Sequence, residues 1–447
     1  MATMIKMAAI LGLFAALALP GAVRAQEGDV PKGVPHLDHV FVIMMENHGY
    51  HQLLNNPNAP FINELANSGN LAANYFAVGH PSLTNYLETV GGSNFGIRSD
   101  NYPDWHSTTC KTNLFLKLPA TDNPSSPLIC PITGSGQDAE TPAIDCTNEV
   151  QTTPPNCYFD IDGTLSVAAA PNTIGKTIAD QLVEQGRRWR SYQESLPPGG
   201  PDLVNISDGY FTNNTDFTPY LAAPTSFVSW SIQNVTIPAI TTQAQAQGDI
   251  VYLYAVKHNP FVYFSSVQNG LTPHDTLQNV RGFDGPEGLY ADLASGDVPA
   301  FSFIAPNQCN DQHGRGNAGP FCNFDAVDNG TQSGLNGTLI YRGDVTVQTI
   351  VRAIKKSPAW REGNNAIVVM WDENDYTATP NQVMLIVDTS YGVKHVQSGA
   401  FYTHFSLLRT IEGGFGLPCL NHACDPGTKT MTDLFRRGDG DGDGDNR

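Results

Sequence analysis

FVIMMENHGY at residues 41–50 and WDENDY at residues 371–376 decide how this chain is read. Each ends an apolar run in a cluster of carboxylate and amide side chains. The first run, Val40 to Met45, breaks at Glu46-Asn47-His48, and the second, Ala366 to Trp371, breaks at Asp372-Glu373-Asn374-Asp375. Short continuous apolar runs are the pattern of strands buried on both faces, as in parallel sheets. In open α/β sheets, ligands bind beyond the carboxyl ends of such strands. Two strands that bring hard oxygen donors to one sheet edge point to a divalent metal site. The plainer alternative is a pair of acidic loops after core strands.

Outward from these runs, strands and helices alternate, which favours a layered α/β fold. A short helix is expected from Phe61 to Gly69 and another from Pro81 to Val90, with Pro81 and Ser82 in its first turn. Thr173 is expected to cap a helix with apolar Ile174, Ile178 and Leu182, stopped at Gly186. Asp249–Val256, Phe261–Phe264, Pro299–Ala305 and Gln382–Val387 read as strands. Asp344 is expected to cap a helix with Val347, Ile350, Val351 and Ile354 on its apolar face, and His404 to Ile411 opens the last core helix. Residues 98–172, rich in Pro, Thr, Asn, Asp and Cys, read as a disulfide-tied insertion or lid, and residues 196–247 as irregular. The tail from residue 436 to 447, RRGDGDGDGDNR, reads as disordered and acidic.

The chain has 447 residues, enough for one large α/β domain or two smaller ones. Lys6, the apolar run Met7 to Leu19 and the small residues of Val23-Arg24-Ala25 form a secretory signal pattern, with cleavage expected after Ala25. That run is short for a membrane span, and no later stretch could span. A secreted or periplasmic protein is expected. Eight cysteines suit that compartment, and sequence neighbours suggest the pairs 110–130, 146–157, 309–322 and 419–424. No CxxC pair occurs, which disfavours a zinc ribbon. The formal net charge of -19 argues against nucleic acid and anionic membrane surfaces as bulk partners. A small anionic substrate stays open, because a bound cation can dominate the local field.

Phosphate ester hydrolysis needs a nucleophile, a leaving-group path and positive charge on the nonbridging oxygens. Ser82, in GHPSLTNY, sits where a helix begins and free backbone N–H groups gather. It is a candidate nucleophile or simply part of a helix cap. Asn85 lies one turn on and could donate to a phosphoryl oxygen, and His80 could orient the nucleophile or the leaving group. PNQCNDQHG places Asn310, Asp311 and His313 after a strand, suited to a second cation or to phosphate contacts, or to a structural loop. His404 is a further candidate, and His258 and His274 are weaker ones. No GxxxxGK[ST], HExxH or GxSxG motif is present.

Taken in order, MMENHGY, GHPSLTNYLETVGGS, TIADQLVEQGRRWRSYQESLP, KHNPFVYF, PNQCNDQHG, MWDENDY and HFSLLRTIEGGFGLP resemble the bacterial and fungal phosphoesterase family. That family holds secreted acid phosphatases and non-haemolytic phospholipases C, within the alkaline-phosphatase-like superfamily. The resemblance spans residues 36 to 435 and implies one phosphoesterase domain, 26–435. The fold implied is a three-layer α/β sandwich with a mostly parallel central sheet. The resemblance assigns Glu46, Asn47, Asp372 and Glu373 as metal ligands, with Asp375 as a further ligand or support. It makes Ser82 the nucleophile and Asn85 a phosphoryl-oxygen donor, and it sets Asp311, His313 and His404 around the phosphate or a second cation. One or two divalent ions are implied. Thr84 stands where family members often have Pro, and the 310–313 spacing is shorter than in two-zinc members. The sulfatase signature is missing.

The expectation is therefore an exported, metal-dependent phosphomonoesterase acting on a small phosphate ester. A phosphodiesterase of phospholipase C type is the first rival, disfavoured because the chain ends soon after the last core helix. A secreted binding protein without catalysis is the second.

Overall fold

The structure, a computed structural model, describes residues 30–438 except 98, 105–128, 139–143, 147–156, 160–169, 197–203, 206–209, 213–229, 233–234, 238–248, 252, 271, 316–321, 328 and 376–379. The signal pattern, most of the expected tail, and Cys110 lie outside the described residues. Eight described strands form the central sheet: β1 (His39–Met45), β2 (Asn70–Ala72), β3 (Trp189–Gln193), β4 (Val280–Arg281), β5 (Phe301–Ala305), β6 (Asn365–Trp371), β7 (Leu385–Thr389) and β8 (Gln397–Ser398). Their order is β4-β3-β5-β1-β6-β7-β2-β8. Only β7 runs against its neighbours, pairing antiparallel with β6 and β2, so the sheet is mixed and mostly parallel.

Every side chain from Val40 to Met45 and from Ala366 to Trp371 is fully buried, as the unbroken apolar runs require. Helix α2 (Ser82–Gly91) packs on α5 (His404–Phe415), and α1 (Pro60–Ser68) packs on α4 (Gly337–Lys356). A further helix, α3 (Ile178–Glu184), packs on α2. Helix α2 stops at Gly92, whose φ of +71° is a left-handed cap, and a Cβ there would meet the Leu420 carbonyl oxygen at 2.5 Å. The register pairs Met45 with Trp371 and Ile43 with Ile304, so the loops after β1, β5 and β6 leave the same edge of the sheet.

Four local expectations shift. Helix α3 is capped by Thr177, whose Oγ1 accepts from Ala179 N–H at 3.1 Å, while Thr173 and Ile174 form a short strand with Ile174 exposed. Asp249–Val256 and Phe261–Phe264 are not long strands. Among the described residues only Asp249–Val251 forms a strand there, and Val256–His258 and Pro260–Tyr263 form 3-10 turns, because Pro260 fixes φ and offers no N–H to a ladder. Strand β7 begins at Leu385 because Gln382 and Val383 instead bridge back to Phe76 and Gly49. Helix α4 is capped by Asn336, not by Asp344, which lies inside it.

Asp344 caps a different helix. Its oxygens accept from Phe61 N–H at 3.1 Å and Ile62 N–H at 2.7 Å, satisfying the first turn of α1 across the packed pair. Burial pushes the carboxyl up to about 6 against those two bonds. Asp344→Ala is expected to cost about 2 kcal/mol in urea unfolding, through two orphaned buried N–H groups, with Asp344→Asn recovering part of it. An unchanged midpoint in the alanine protein would show that water serves the α1 terminus equally well.

Candidate active site

Strand ends place the acidic loops, and backbone bonds lace them together. Asp372 N–H donates to the Met45 carbonyl at 3.0 Å, and Glu46 N–H donates to the Asp311 carbonyl at 2.9 Å. Asn47 takes a left-handed φ of 60° directly after Glu46, which lets its own N–H donate to Asp372 Oδ1 at 3.1 Å. Three loops distant in sequence therefore meet as one rigid edge.

Ser82, the first residue of α2, enters this edge. Its Oγ lies 3.2 Å from Glu46 Oε2 and 3.1 Å from Glu373 Oε1, and the residue is almost wholly buried. Asn85 donates through Nδ2 to Glu373 Oε2 at 3.0 Å and to the Gly79 carbonyl at 2.7 Å, while its Oδ1 accepts from Val78 and Gly79 N–H. His80 Nδ1 is 2.7 Å from Glu373 Oε2. Burial pushes His80 down to about 3 and pushes Glu373 well up, with Glu46 the next cause.

His258 reaches the cluster from the turn after Lys257. Its Nε2 faces Glu46 Oε1 at 3.1 Å, its Nδ1 faces Asp311 Oδ2 at 3.3 Å, and its ring stacks on Tyr86 at 5.2 Å. Asp311 Oδ1 accepts from His313 N–H at 2.8 Å, and the His313 ring lies 5.9 Å from that of His258. Sequence reasoning ranked His258 low because a lone histidine carries little signal, and His274, of the same rank, is exposed, its backbone N–H donating to Thr272 Oγ1 at 3.3 Å.

Two expected site residues hold the framework. His404 Nε2 donates to the Asp372 carbonyl at 2.7 Å, so its Nδ1 accepts from the Tyr75 hydroxyl at 2.8 Å. Both ring nitrogens are thereby engaged in fixing the Asp372 backbone, and burial pushes the imidazole down to about 4. Asp375 Oδ2 accepts from Gln52 Nε2 at 2.6 Å and from Gly330 N–H at 3.2 Å, tying loops beside the cluster. His48, which the sequence offered only as part of the loop, sits between two acceptors, the Glu46 carbonyl at 3.0 Å and Asp325 Oδ2 at 2.7 Å. Burial alone would lower its pKa, but Asp325 raises it by more, so the net shift is upward, toward the charged form.

The edge is short of positive charge. Glu46, Asp311, Asp372 and Glu373 are all pushed well above the usual carboxylate range, first by burial and next by a neighbouring carboxylate. Lys257 opposes this from 2.9 Å beyond Asp100 Oδ2, and Asp100 Oδ1 in turn accepts from Leu83 N–H at 3.0 Å, next to Ser82. Sequence reasoning assigned no role to either residue; the signal was the lysine beside His258. Among the described residues, no three His, Cys, Asp or Glu side chains are drawn together into a ready-made metal site. The chemistry of the donors nevertheless suits a cation. Asn47 Oδ1 and Asp372 Oδ2 are buried without a hydrogen-bond donor, beside carboxylates that burial has left uncompensated.

The phosphoesterase family profile matches residues 51–418. A phosphatidylinositol-3-phosphatase of Mycobacterium tuberculosis is 23% identical over 434 residues, which is 96% of this chain and 93% of that protein. An acid phosphatase of Aspergillus fumigatus is 21% identical over 383 residues, 85% of this chain and 55% of that protein, so the chain spans about half of the fungal relative. Among solved structures, a protein in the alkaline phosphatase superfamily from Vibrio parahaemolyticus is 12% identical, with a TM-score of 0.41 over 91% of this chain and 77% of that one. At that score the architecture is read from the sheet itself. The profile takes in Ser82, Asp311 and the Asp372-Glu373 pair, and it runs through the greater part of the sequence. The chain thus belongs to the phosphoesterase family and is a hydrolase acting on phosphate ester bonds.

Proposed function

We propose that this protein is an exported, metal-dependent phosphoric monoester hydrolase that works through a phosphoseryl intermediate on Ser82. The observation that carries the reading is the place of Ser82 Oγ, at a helix start and within 3.2 Å of two buried carboxylates. Both relatives named above are called phosphatases, which supports a monoester over a diester. Disulfides Cys309–Cys322 and Cys419–Cys424, with Cys130 also disulfide-bonded, suit an oxidising compartment. No described helix is long and apolar enough to cross a membrane.

Glu46, Asn47, Asp372 and Glu373 would hold one divalent cation, with Asp311 available to a second. Such an ion supplies the charge that lowers a hydroxyl pKa and screens developing oxyanions. In the chain's own chemistry, Ser82 Oγ bonds to phosphorus as the bond to the alcohol oxygen breaks. The Ser82 proton passes to the carboxylate pair and on to the departing alkoxide oxygen, so the alcohol leaves neutral. Water then attacks phosphorus as the Ser82 O–P bond breaks, its proton passes through the same pair to Ser82 Oγ, and phosphate departs. His404 and His48 hold the Asp372 and Glu46 backbones still during these steps. Both Asn85 amide hydrogens are engaged, so a phosphoryl oxygen would take the place of Glu373 at Nδ2. His313, beyond His258, would meet a remaining phosphoryl oxygen, with Asp311 kept for the second cation.

Initial rates on p-nitrophenyl phosphate and its bis-ester, with and without chelator, test the reading. The monoester is expected to be preferred, and chelation to lower its turnover by about 100-fold or more, with recovery on adding a divalent cation. Preference for the bis-ester would move the protein to the phosphodiesterase branch. Full activity after exhaustive chelation would remove the metal from the account.

A further inference from the structure

Among the described residues, the exposed large hydrophobic side chains are Ile174, Phe324 and Val327, and two of these flank a single anchor beside the active site. The anchor is Asp325, whose Oδ2 is paired with His48 at 2.7 Å and whose Oδ1 accepts from Asn336 N–H at 2.6 Å. His48 follows the proposed ligands Glu46 and Asn47 in the chain. The same loop is tied by the Cys309–Cys322 disulfide, by Val327 N–H donating to the Gly334 carbonyl at 3.1 Å, and by Gly330 N–H donating to Asp375. A segment fastened at this many points could turn apolar side chains inward. Instead Phe324 is 51% and Val327 55% exposed.

Phe324 also continues a line of rings out of the site. Tyr86 stacks on His258, the His258 and His313 rings are 5.9 Å apart, and the His313 and Phe324 rings are 5.9 Å apart in an edge contact. His258 touches Glu46, which touches Ser82. The path from nucleophile to exposed ring is thus continuous, and it changes from charged to apolar along its length.

We propose that Phe324 and Val327 form an apolar lip that receives the alcohol portion of the substrate, making this enzyme selective for phosphomonoesters of apolar alcohols. The proposal rests on the monoesterase reading above. Its occupant is the leaving group of a single substrate molecule: the lip adjoins the Ser82 cluster through ring contacts, and an ester whose phosphate is held at Ser82, at the inner end of the line, has its alcohol portion left to extend toward the apolar end. Apolar contact on a half-exposed wall gives part of the transfer free energy of each methylene, so kcat/KM should rise by about twofold per added carbon.

The test uses soluble n-alkyl phosphates from ethyl to hexyl, below their aggregation range, with the full chain and a Phe324→Ser/Val327→Ser protein. The readout is the hexyl-to-ethyl ratio of kcat/KM, which separates a lip from a general loss of activity. The ratio is expected to be large in the wild type and to fall toward one in the double variant. A flat series in the wild type, or an equal slope in both proteins, overturns the proposal while leaving the hydrolase reading intact. Calorimetry with n-alkylphosphonates covers the converse case. If no ester turns over, yet these bind more tightly with chain length and the variant loses that gain, the hydrolase reading falls and the lip stands. A flat series with variant-sensitive sedimentation on phosphatidylcholine vesicles would make the pair a membrane contact and overturn the lip.

Discussion

Ser82→Ala protein is expected to fold normally and to lose turnover of a phosphomonoester by about 1,000-fold or more. The two halves of this expectation have separate causes. The start of α2 does not depend on the Ser82 hydroxyl. Asp100 accepts from Leu83 N–H, and the Pro81 carbonyl accepts from Thr84 N–H at 3.1 Å and from the Thr84 hydroxyl at 2.8 Å. The hydroxyl itself bonds only to Glu46 and Glu373, whose loss of one donor is a local matter within a cluster already pushed toward its protonated forms. Chemistry, by contrast, loses the atom that bonds phosphorus, and water must attack directly with only the remaining electrostatic assistance. Acid-quenched protein analysed by mass should show phosphate on the Ser82 peptide of the wild type and none in the variant. Undiminished turnover in Ser82→Ala would sink the assignment, and phosphate trapped on another residue would relocate it.

The strands that end in this site were readable because burial on both faces leaves its mark on every residue. Val40–Met45 and Ala366–Trp371 could hardly be anything else, and their shared register follows from a parallel sheet. The acidic residues behind them were readable for the same reason, since a carboxylate after such a run has no hydrophobic purpose. What escaped the sequence is set by contacts across the fold. Asp344 looked like the cap of the helix that contains it, but its acceptors serve Phe61 and Ile62 far away in the chain. Gly343 would signal a break in α4, yet it is the place where Gln312 packs against the helix, too close for a Cβ. His258 and Lys257 sit in a 3-10 turn between two segments that read as strands, because Tyr and Val favour strands until Asn259-Pro260 is weighed. His404 was read as a candidate for the phosphate or a second cation, but its service to the Asp372 backbone depends on Tyr75, which no spacing rule connects to it.

The largest stability effect is expected at His422, away from the reacting atoms. His422 is buried between Asp138, bonded to Nε2, and Asp425, 2.6 Å from Nδ1. Both neighbours are acceptors, so the ring carries two protons and a positive charge. Burial, the largest single influence, pushes its pKa down, but Asp138 and Asp425 together push it up to about 9. Asp138 also accepts from Ser93 Oγ and from Ala170 N–H, and Glu88 on α2 is pushed well above its usual range by burial and by Asp138. The imidazolium thus sits as a cation in a buried acidic group that joins residues 138 and 170 to the end of α2. His422 N–H donates to the Gly92 carbonyl at 2.9 Å, and Asn421 Nδ2 to the Gly91 carbonyl at 2.7 Å, so the same segment fastens that helix end. His422→Leu removes the cation and leaves Asp138 buried, for a cost of about 3 kcal/mol. The pH dependence follows in sign. The folded pKa lies above the unfolded value of about 6.5, so the His422 contribution is complete below about pH 6.5 and is lost as pH rises through about 9. Urea unfolding should therefore show wild-type stability falling between those pH values by up to about 3 kcal/mol more than that of His422→Leu. Parallel pH profiles for the two proteins would mean that the Asp138–His422–Asp425 group is not held as an ion pair.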